Sequence, residues 1–559
     1  IGEAPQPPEG AHPAVMLALA AAVGVALALG CVWAWARSFK TPPARDVGVL
    51  PPDAEVKARI KNGFSEKKLA AVGSPDVIVI GSGVSGLMCA VILGRLGKKV
   101  VVLEQHGKAG GATHAFGKKG SDGRKYEFDT GLHYIGGEMG DRSGLSRKLF
   151  DLLTDGKLEW DANGDVYDHA TLSEELDRDT WAKTPPHLRD IRWYASPARC
   201  MEELLGKFPD EGKALRKYFA MVSNAVIGTM TFGSKFLPSI LLMPAAPVLR
   251  YIKAKWWGTS ATAFLDSITS NAVLRGMLSY IYGDVGVAPG QMPAGLLGLL
   301  VDHYIKGGSF YPRGGSRFIA YHAVGAIERM GGAVFVRAPV ARILLDPSCS
   351  RAVGVEVRGA NVMAPVVISS VGVMQTYSRL IPESEVARSP AAPVLAMLPR
   401  YDYSDASADP AETLGKLQPS VSLMSVFVGL GASSEDLQLP KHNLWCFPSW
   451  NHDENFARYK AAVEEHLAKR RAGEAPTPVD APFPAAFISF PSAKDSAWAE
   501  RMGATSTALV LAPIDFRIFE EFRGMGKVEH RGQAYEDVKE LVKEPLLRLL
   551  LHHFPHLEP

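Results

Sequence analysis

The 559-residue sequence predicts an α/β fold: a parallel sheet of the Rossmann type, accompanied by a further α+β lobe and preceded by one transmembrane helix. Three observations predict it. An apolar, β-branched run leads directly into Gly81-Ser-Gly83-Val-Ser-Gly86 and a helix-forming stretch. A second such run ends in an acid, Glu104. Far upstream, Pro13 to Ala36 carries no charge at all. The remaining composition is that of an ordinary globular chain, 47% apolar and 21% charged, which excludes wholesale disorder. A formal charge of +2 gives no field that would gather nucleic acid. The five cysteines form no CxxC pair and no cluster with histidine, so neither a metal site nor a disulfide scaffold is expected.

Residues 1–12 read as a tail and 13–36 as the membrane span. Twenty-four residues at about 1.5 Å each can cross a hydrocarbon core of about 30 Å. Trp33 and Trp35 lie near one end, where indole rings favour the interface. Arg37, Lys40, Arg45 and the lysines up to Lys68 follow, a charge bias that puts the large domain on the cytosolic, stromal or matrix side. A cleavable signal peptide would have a shorter apolar region. Residues 37–73, rich in proline and polar side chains, read as a linker.

The dinucleotide unit begins at residue 74. Asp76 to Ile80 reads as a buried parallel strand, Leu87 to Leu96 as a helix, and Lys99 to Leu103 as the second strand. Gly81 suits the tight turn, Gly83 the approach of a pyrophosphate, and Gly86 close helix–strand packing. Amides at the helix N-terminus would face the phosphates. Glu104, 18 residues after Gly86, is placed for ribose hydroxyls.

A second glycine pair, Gly110-Gly111, follows directly, and then Glu127-Phe-Asp-Thr-Gly-Leu-His-Tyr-Ile-Gly-Gly137. With Lys306-Gly-Gly-Ser-Phe-Tyr-Pro-Arg-Gly-Gly315, Val367-Ile-Ser-Ser-Val-Gly372, Phe427-Val-Gly-Leu430 and Phe490-Pro-Ser-Ala-Lys-Asp495, these segments resemble the retinol saturase branch of the carotenoid-isomerase and phytoene-desaturase family. The resemblance spans nearly everything after residue 74. It implies FAD as cofactor, with contacts at Gly81, Ser82, Gly83, Ser85, Gly86, Glu104, Gln105, Lys108, Gly110, Gly111, Thr113 and Val340. It implies an interleaved order: FAD lobe over 74–140 and 307–372, substrate lobe over 141–306 (mainly helical) and 373–559. Ala112-Thr113 stands where the family often has a cysteine pair, so a cysteine-dependent step does not carry over. Family members also continue beyond the position of Pro559 with a segment that closes on the flavin.

Within the second part of the FAD lobe, Ser316–Met330 reads as a helix, and Gly332–Arg337, Ala341–Leu345 and Val353–Val357 as strands. Strands are also expected near Val421–Leu430 and Ala485–Phe490, and a helix over Leu541–His553. Gly429-Leu-Gly431 lacks a third glycine at the required spacing, so no second dinucleotide site is expected, and electrons must come from a separate donor or partner. The resemblance points to an oxidoreductase acting on a conjugated double bond of a hydrophobic polyene, retinoid or carotenoid. An isomerase or desaturase is the alternative on the same scaffold, and a non-catalytic subunit of a membrane complex is the alternative of another class. His133, Tyr134 and Tyr311 are the candidate catalytic residues, the first because histidine titrates near neutral pH. Arg313 could position flavin or substrate. Thr231 to Trp257 mixes apolar runs with lysines and an arginine, and suits a lipid-facing patch. The endoplasmic reticulum, or else an organellar membrane, is the expected location.

Overall fold

Val77–Ile80 is apolar and β-branched at every position, and all four residues are buried. Such a strand is stable only where both faces of its sheet are covered. In the computed structural model, which describes residues 42, 49–225, 254–395, 421–474, 477–526 and 531–558, it lies inside a four-stranded parallel sheet. The order is Val366–Ser369, Val77–Ile80, Val100–Leu103, Ala333–Phe335. One face packs on the helices Val84–Arg95 and Arg317–Arg329, through Leu87, Val91, Ile319 and Val324 among others. The other face, with Ile78, Val101 and Phe335, packs on an antiparallel sheet of Val340–Leu345, Ala352–Val357 and Ala360–Met363. Residues 317 to 327 of the second helix are all buried, so it is the central support of this lobe.

The segment expected to be a linker is partly ordered structure instead. Asp53–Ile60 and Glu66–Val72 are helices. Val56 and Ile60, four apart and therefore on one helical face, are buried against the helix at 317–329. Arg317 bonds Asp53 at 2.6 Å, and Arg59 lies 3.3 Å from Glu328. Between the two short helices, Phe64 N donates to Val336 O (3.0 Å) and Val336 N donates to Asn62 O (2.9 Å). The arm therefore extends the edge of the parallel sheet. Ala109 N also donates to Ile60 O at 2.9 Å, so the arm braces the loop that carries Gly110 and Gly111.

The second lobe is built on a six-stranded sheet, in the order Ser422–Leu430, Ser506–Ile514, Ala486–Ser489, Asn443–Phe447, Val166–Leu172, Asp190–Tyr194. Neighbours are antiparallel except Asn443–Phe447 beside Val166–Leu172. The stretch 141–306 thus supplies strands as well as helices: Val166–Leu172 pairs edge to edge with Asn443–Phe447 and buries Asp168, Ala170 and Leu172 on one face. Its core is strongly aromatic: Tyr167, Trp193, Tyr218, Tyr280, Tyr282, Phe447 and Phe487. The last long helix is Gln533–His553, eight residues longer at its start than the sequence suggests, with Pro545 inside it. The apolar span 13–36 lies outside the described residues, as does most of the 231–257 patch. Among the described residues no helix is long and apolar enough to cross a membrane.

Four histidines are held neutral by this packing. Burial pushes His322 and His553 down to about 3, and His442 and His452 down to about 4. Each binds its proton better in the unfolded chain, so the stability they carry is complete above the ordinary histidine value and is lost as pH falls through the window between about 6.5 and 4. Asp129, Asp168 and Asp284, pushed up by burial to about 6, 7 and 8, work the other way and offset most of that loss. Each histidine by itself withdraws about 2 kcal/mol between pH 7.5 and pH 5. His322→Gln should therefore shift the change in stability between these two pH values by about 2 kcal/mol in favour of the acid side, and an unchanged slope of denaturant midpoint against pH would show that His322 does not contribute.

Candidate dinucleotide cleft and active site

The turn after the first strand has the geometry that phosphate binding requires. Gly81 has φ +95°, and a Cβ on Gly86 would lie 2.2 Å from the Gly81 carbonyl oxygen, so helix and strand touch through glycine alone. Around Gly83 the position of a Cβ is open, with nothing within 4 Å. The first amides of the helix Val84–Arg95 have no intrahelical acceptor and carry the positive end of its dipole. The second glycine pair lies directly over this turn: a Cβ on Gly111 would sit 2.8 Å from Gly83 Cα.

Glu104 closes the same turn. Its Oε2 accepts from Ser82 N (2.9 Å) and Ser82 Oγ (2.7 Å), and its Oε1 accepts from His106 N (2.8 Å). A carboxylate offers about four acceptor sites, so most of its capacity organises the loop and little is left for a ribose. Ser82, fully buried, receives Gly110 N on its Oγ at 3.1 Å and ties the two glycine loops together. Thr113 Oγ1 donates to Gly110 O at 2.8 Å, and Lys108 Nζ donates to Ala115 O at 2.7 Å. Ser85 and Gln105 are exposed. Val340 begins the antiparallel sheet next to the Glu104 loop, which Arg337 N and Ala338 N join through His106 O and Glu104 O.

Next to the glycine pair lies the segment that carries His133. Thr130 Oγ1 donates to Ala112 O at 3.0 Å, which sets the 130–134 segment against the 110–113 loop. Tyr134 is buried, and its hydroxyl donates to Asp168 Oδ2 at 3.1 Å. Tyr280 donates to the same oxygen at 2.9 Å, and Asn443 Nδ2 donates to Asp168 Oδ1 at 3.2 Å. Lys494, with no exposed surface, donates to His133 O (3.0 Å), to Ser489 Oγ (2.7 Å) and to Asn443 Oδ1. Burial pushes Asp168 up and Lys494 down, each to about 7, while each opposes the shift of the other. Burial, reinforced by the Lys494 charge, holds His133 at about 3. The expectation that His133 titrates near neutral pH is therefore corrected: its imidazole is neutral, and its buried Nδ1 has no partner among the described residues. Burial and the neighbouring Asp168 raise Tyr134 well above the tyrosine value.

Tyr311 is not on this wall. It is buried with its hydroxyl closed on Asp129, which Ser316 Oγ also bonds. Arg313 pairs with Glu159 at 2.5 Å. Asp495 accepts from Gly314 N (2.8 Å) and pairs with Arg501 (2.6 Å), which also pairs with Glu127 (2.7 Å). These contacts lock the three motifs around 129, 313 and 495 into one unit.

Sequence reasoning assigned no role to Lys494, Asp168, Asn443 or Asp129. Lys494 carries a usable signal, being a lysine one turn after the apolar strand Ala486–Ser489. Asp168 carries another, an acid on the face of its strand shared by buried Ala170 and Leu172. Asn443 has none. Among the described residues no cluster of metal-ligating side chains exists.

A family model described as an NAD(P)-binding Rossmann-like domain matches residues 79–151. An all-trans-retinol 13,14-reductase of Danio rerio is 34% identical over 517 residues, covering 90% of this chain and 76% of the relative. The Homo sapiens protein of the same name is 34% identical over 534 residues, covering 94% of this chain and 78% of the relative. A Danio rerio protein named an inactive all-trans-retinol 13,14-reductase is 29% identical over 531 residues, covering 91% and 77%. The identity extends through both lobes, and on it the chain belongs to the all-trans-retinol 13,14-reductase family.

Proposed function

We propose that this protein is an FAD-dependent oxidoreductase, anchored in a membrane by residues 13–36, that saturates a conjugated C=C bond of a retinoid. One observation carries the reading. Gly111 overlies the open position at Gly83, and Thr130 ties the 130–134 segment to the same loop, beside a buried polar cluster inside an aromatic lobe. The residues fit the cofactor: the space at Gly83 and the free amides of the helix start suit a pyrophosphate. Bound FAD would supply the two electrons of the reduction. The chain's own residues bind and orient. The helix amides hold phosphate, the aromatic side chains of the second lobe exclude water from a polyene, and neutral His133 offers an uncharged ring beside the wall formed by Tyr134, Asp168 and Lys494.

Gly429 lies in a strand that ends at Leu430, and bends and turns follow it instead of the helix start that a second dinucleotide turn would need. This supports a separate electron donor. The test is made on full-length protein in detergent. It should carry a flavin band near about 450 nm, NADPH alone should not bleach that band rapidly, and dithionite with all-trans-retinol should yield the 13,14-dihydro product. Isomerisation of a poly-cis carotene with no reduced retinoid would overturn the reductase reading. Because one relative is named inactive, product formation is the deciding readout.

A further inference from the structure

Lys494 is the one buried lysine in the core of the second lobe among the described residues, and its surroundings are unusual. An ammonium has three N–H donors. All three are taken, and each acceptor is uncharged: the His133 carbonyl, Asn443 Oδ1 and Ser489 Oγ. The counter-charge, Asp168, is reached only through Asn443, whose amide accepts from Lys494 and donates to Asp168. Asp168 is in turn bonded by Tyr134, the neighbour of His133. The chain of contacts closes a ring from His133 O through Lys494, Asn443, Asp168 and Tyr134 back to the same turn. Two strands, the 491–494 helical turn and the 130–134 segment supply it, remote from one another in sequence.

We propose that Lys494 is a positioning residue: its ammonium pins the His133–Tyr134 turn through the His133 carbonyl, and Asn443 joins it to Asp168, which holds the same turn through Tyr134. The proposal rests on reading this cleft as the reaction site. A neutral amine could satisfy only two of the three acceptors, so the ring of contacts is complete only with the proton in place. The groups that bear on His133 from the packed elements are few. Lys494 comes from the 491–494 turn and Asp168 from the strand Val166–Leu172. His303 and Tyr304 come from the helix Ala294–Ile305, the latter stacked on Tyr134 at 4.7 Å and bonded to Asp284 at 3.4 Å. Asp129 lies on the strand leading to the turn. Lys494 is the one cation among them whose nitrogen touches the His133 backbone.

Hydrogen–deuterium exchange of backbone amides, read peptide by peptide by mass spectrometry, reports how firmly the His133–Tyr134 turn is held without needing substrate or turnover. In the full-length wild type the peptide that contains this turn should be strongly protected. In Lys494→Met its exchange should quicken by about tenfold or more while peptides of the parallel sheet keep their protection, whereas Lys494→Arg, which keeps charge and donors, should restore protection. Unchanged protection of the turn in a folded Lys494→Met protein would overturn the proposal. Should that variant fail to fold, Asn443→Leu decides: it removes the amide that joins Lys494 to Asp168, so protection of the same peptide should again fall, and no fall would overturn it. Because the readout is independent of product, a failed reductase assay and a failed positioning role remain distinguishable.

Discussion

Gly86→Val should give a protein that retains no flavin after purification. A Cβ at this position would sit 2.2 Å from the Gly81 carbonyl oxygen and 2.6 Å from Ser370 Oγ, and the first of these is backbone that cannot turn aside. Overpacking of this kind costs about 1–3 kcal/mol. If the strain falls on the phosphate turn, the upper figure corresponds to about a hundredfold weaker binding. Gly83→Ala provides the contrast. Its Cβ meets no protein atom within 4 Å, so the apo fold should be as stable as the wild type. The same methyl projects into the space proposed for phosphate, and affinity should fall. Flavin content by absorbance, with thermal denaturation of the apo proteins, separates the two effects. Full flavin retention in Gly86→Val would contradict the proposed cradle.

The second large effect is expected at Arg501. Its side chain is 9% exposed and pairs with Glu127 (9%) and Asp495 (0%). A surface pair would be worth little, but removing one partner of a buried network leaves charges without compensation, at about 3–5 kcal/mol. Arg501→Met should lower the urea midpoint accordingly. The loss should reach both lobes, because Arg317 also bonds Glu127 (3.1 Å) and Asp495 holds Gly314 N. Arg501→Lys should recover only part, since an ammonium cannot reproduce the fork that spans both carboxylates. A midpoint within experimental scatter of the wild type would mean that the network is dispensable.

The dinucleotide half of this molecule is written in local sequence. The strand at 77–80, its glycine turn and the helix that follows are contiguous, so their chemistry can be read within some twenty residues. The strands expected after Gly332 and near Val421 and Ala485 were similarly visible as apolar, β-branched runs, and the structure places strands at Ala333–Phe335, Ser422–Leu430 and Ala486–Ser489. The polar wall is different. Asp168 meets Asn443 only because two strands pair in parallel across 275 residues of sequence, and nothing local to either announces that pairing. Lys494 was part of a quoted motif, yet its burial depends on the same distant sheet. The arm is legible only in part. Prolines at 42, 43, 51 and 52 and many polar side chains make the stretch read as a linker, and the Val56–Ile60 spacing shows a buried helical face only once the helix at 317–329 is packed on it.

That arm makes the cofactor domain and the chain upstream of it a single mechanical system. The Ile60 carbonyl is bonded to Ala109, and Ala109 adjoins the glycines that overlie Gly83. A tug applied at Asp53 is therefore passed through Ile60 and Ala109 to the loop that lies on Gly83. Cleaving the polypeptide after residue 64 would sever more than a tether: it would detach the peptide that braces both the Val336 sheet edge and Ala109.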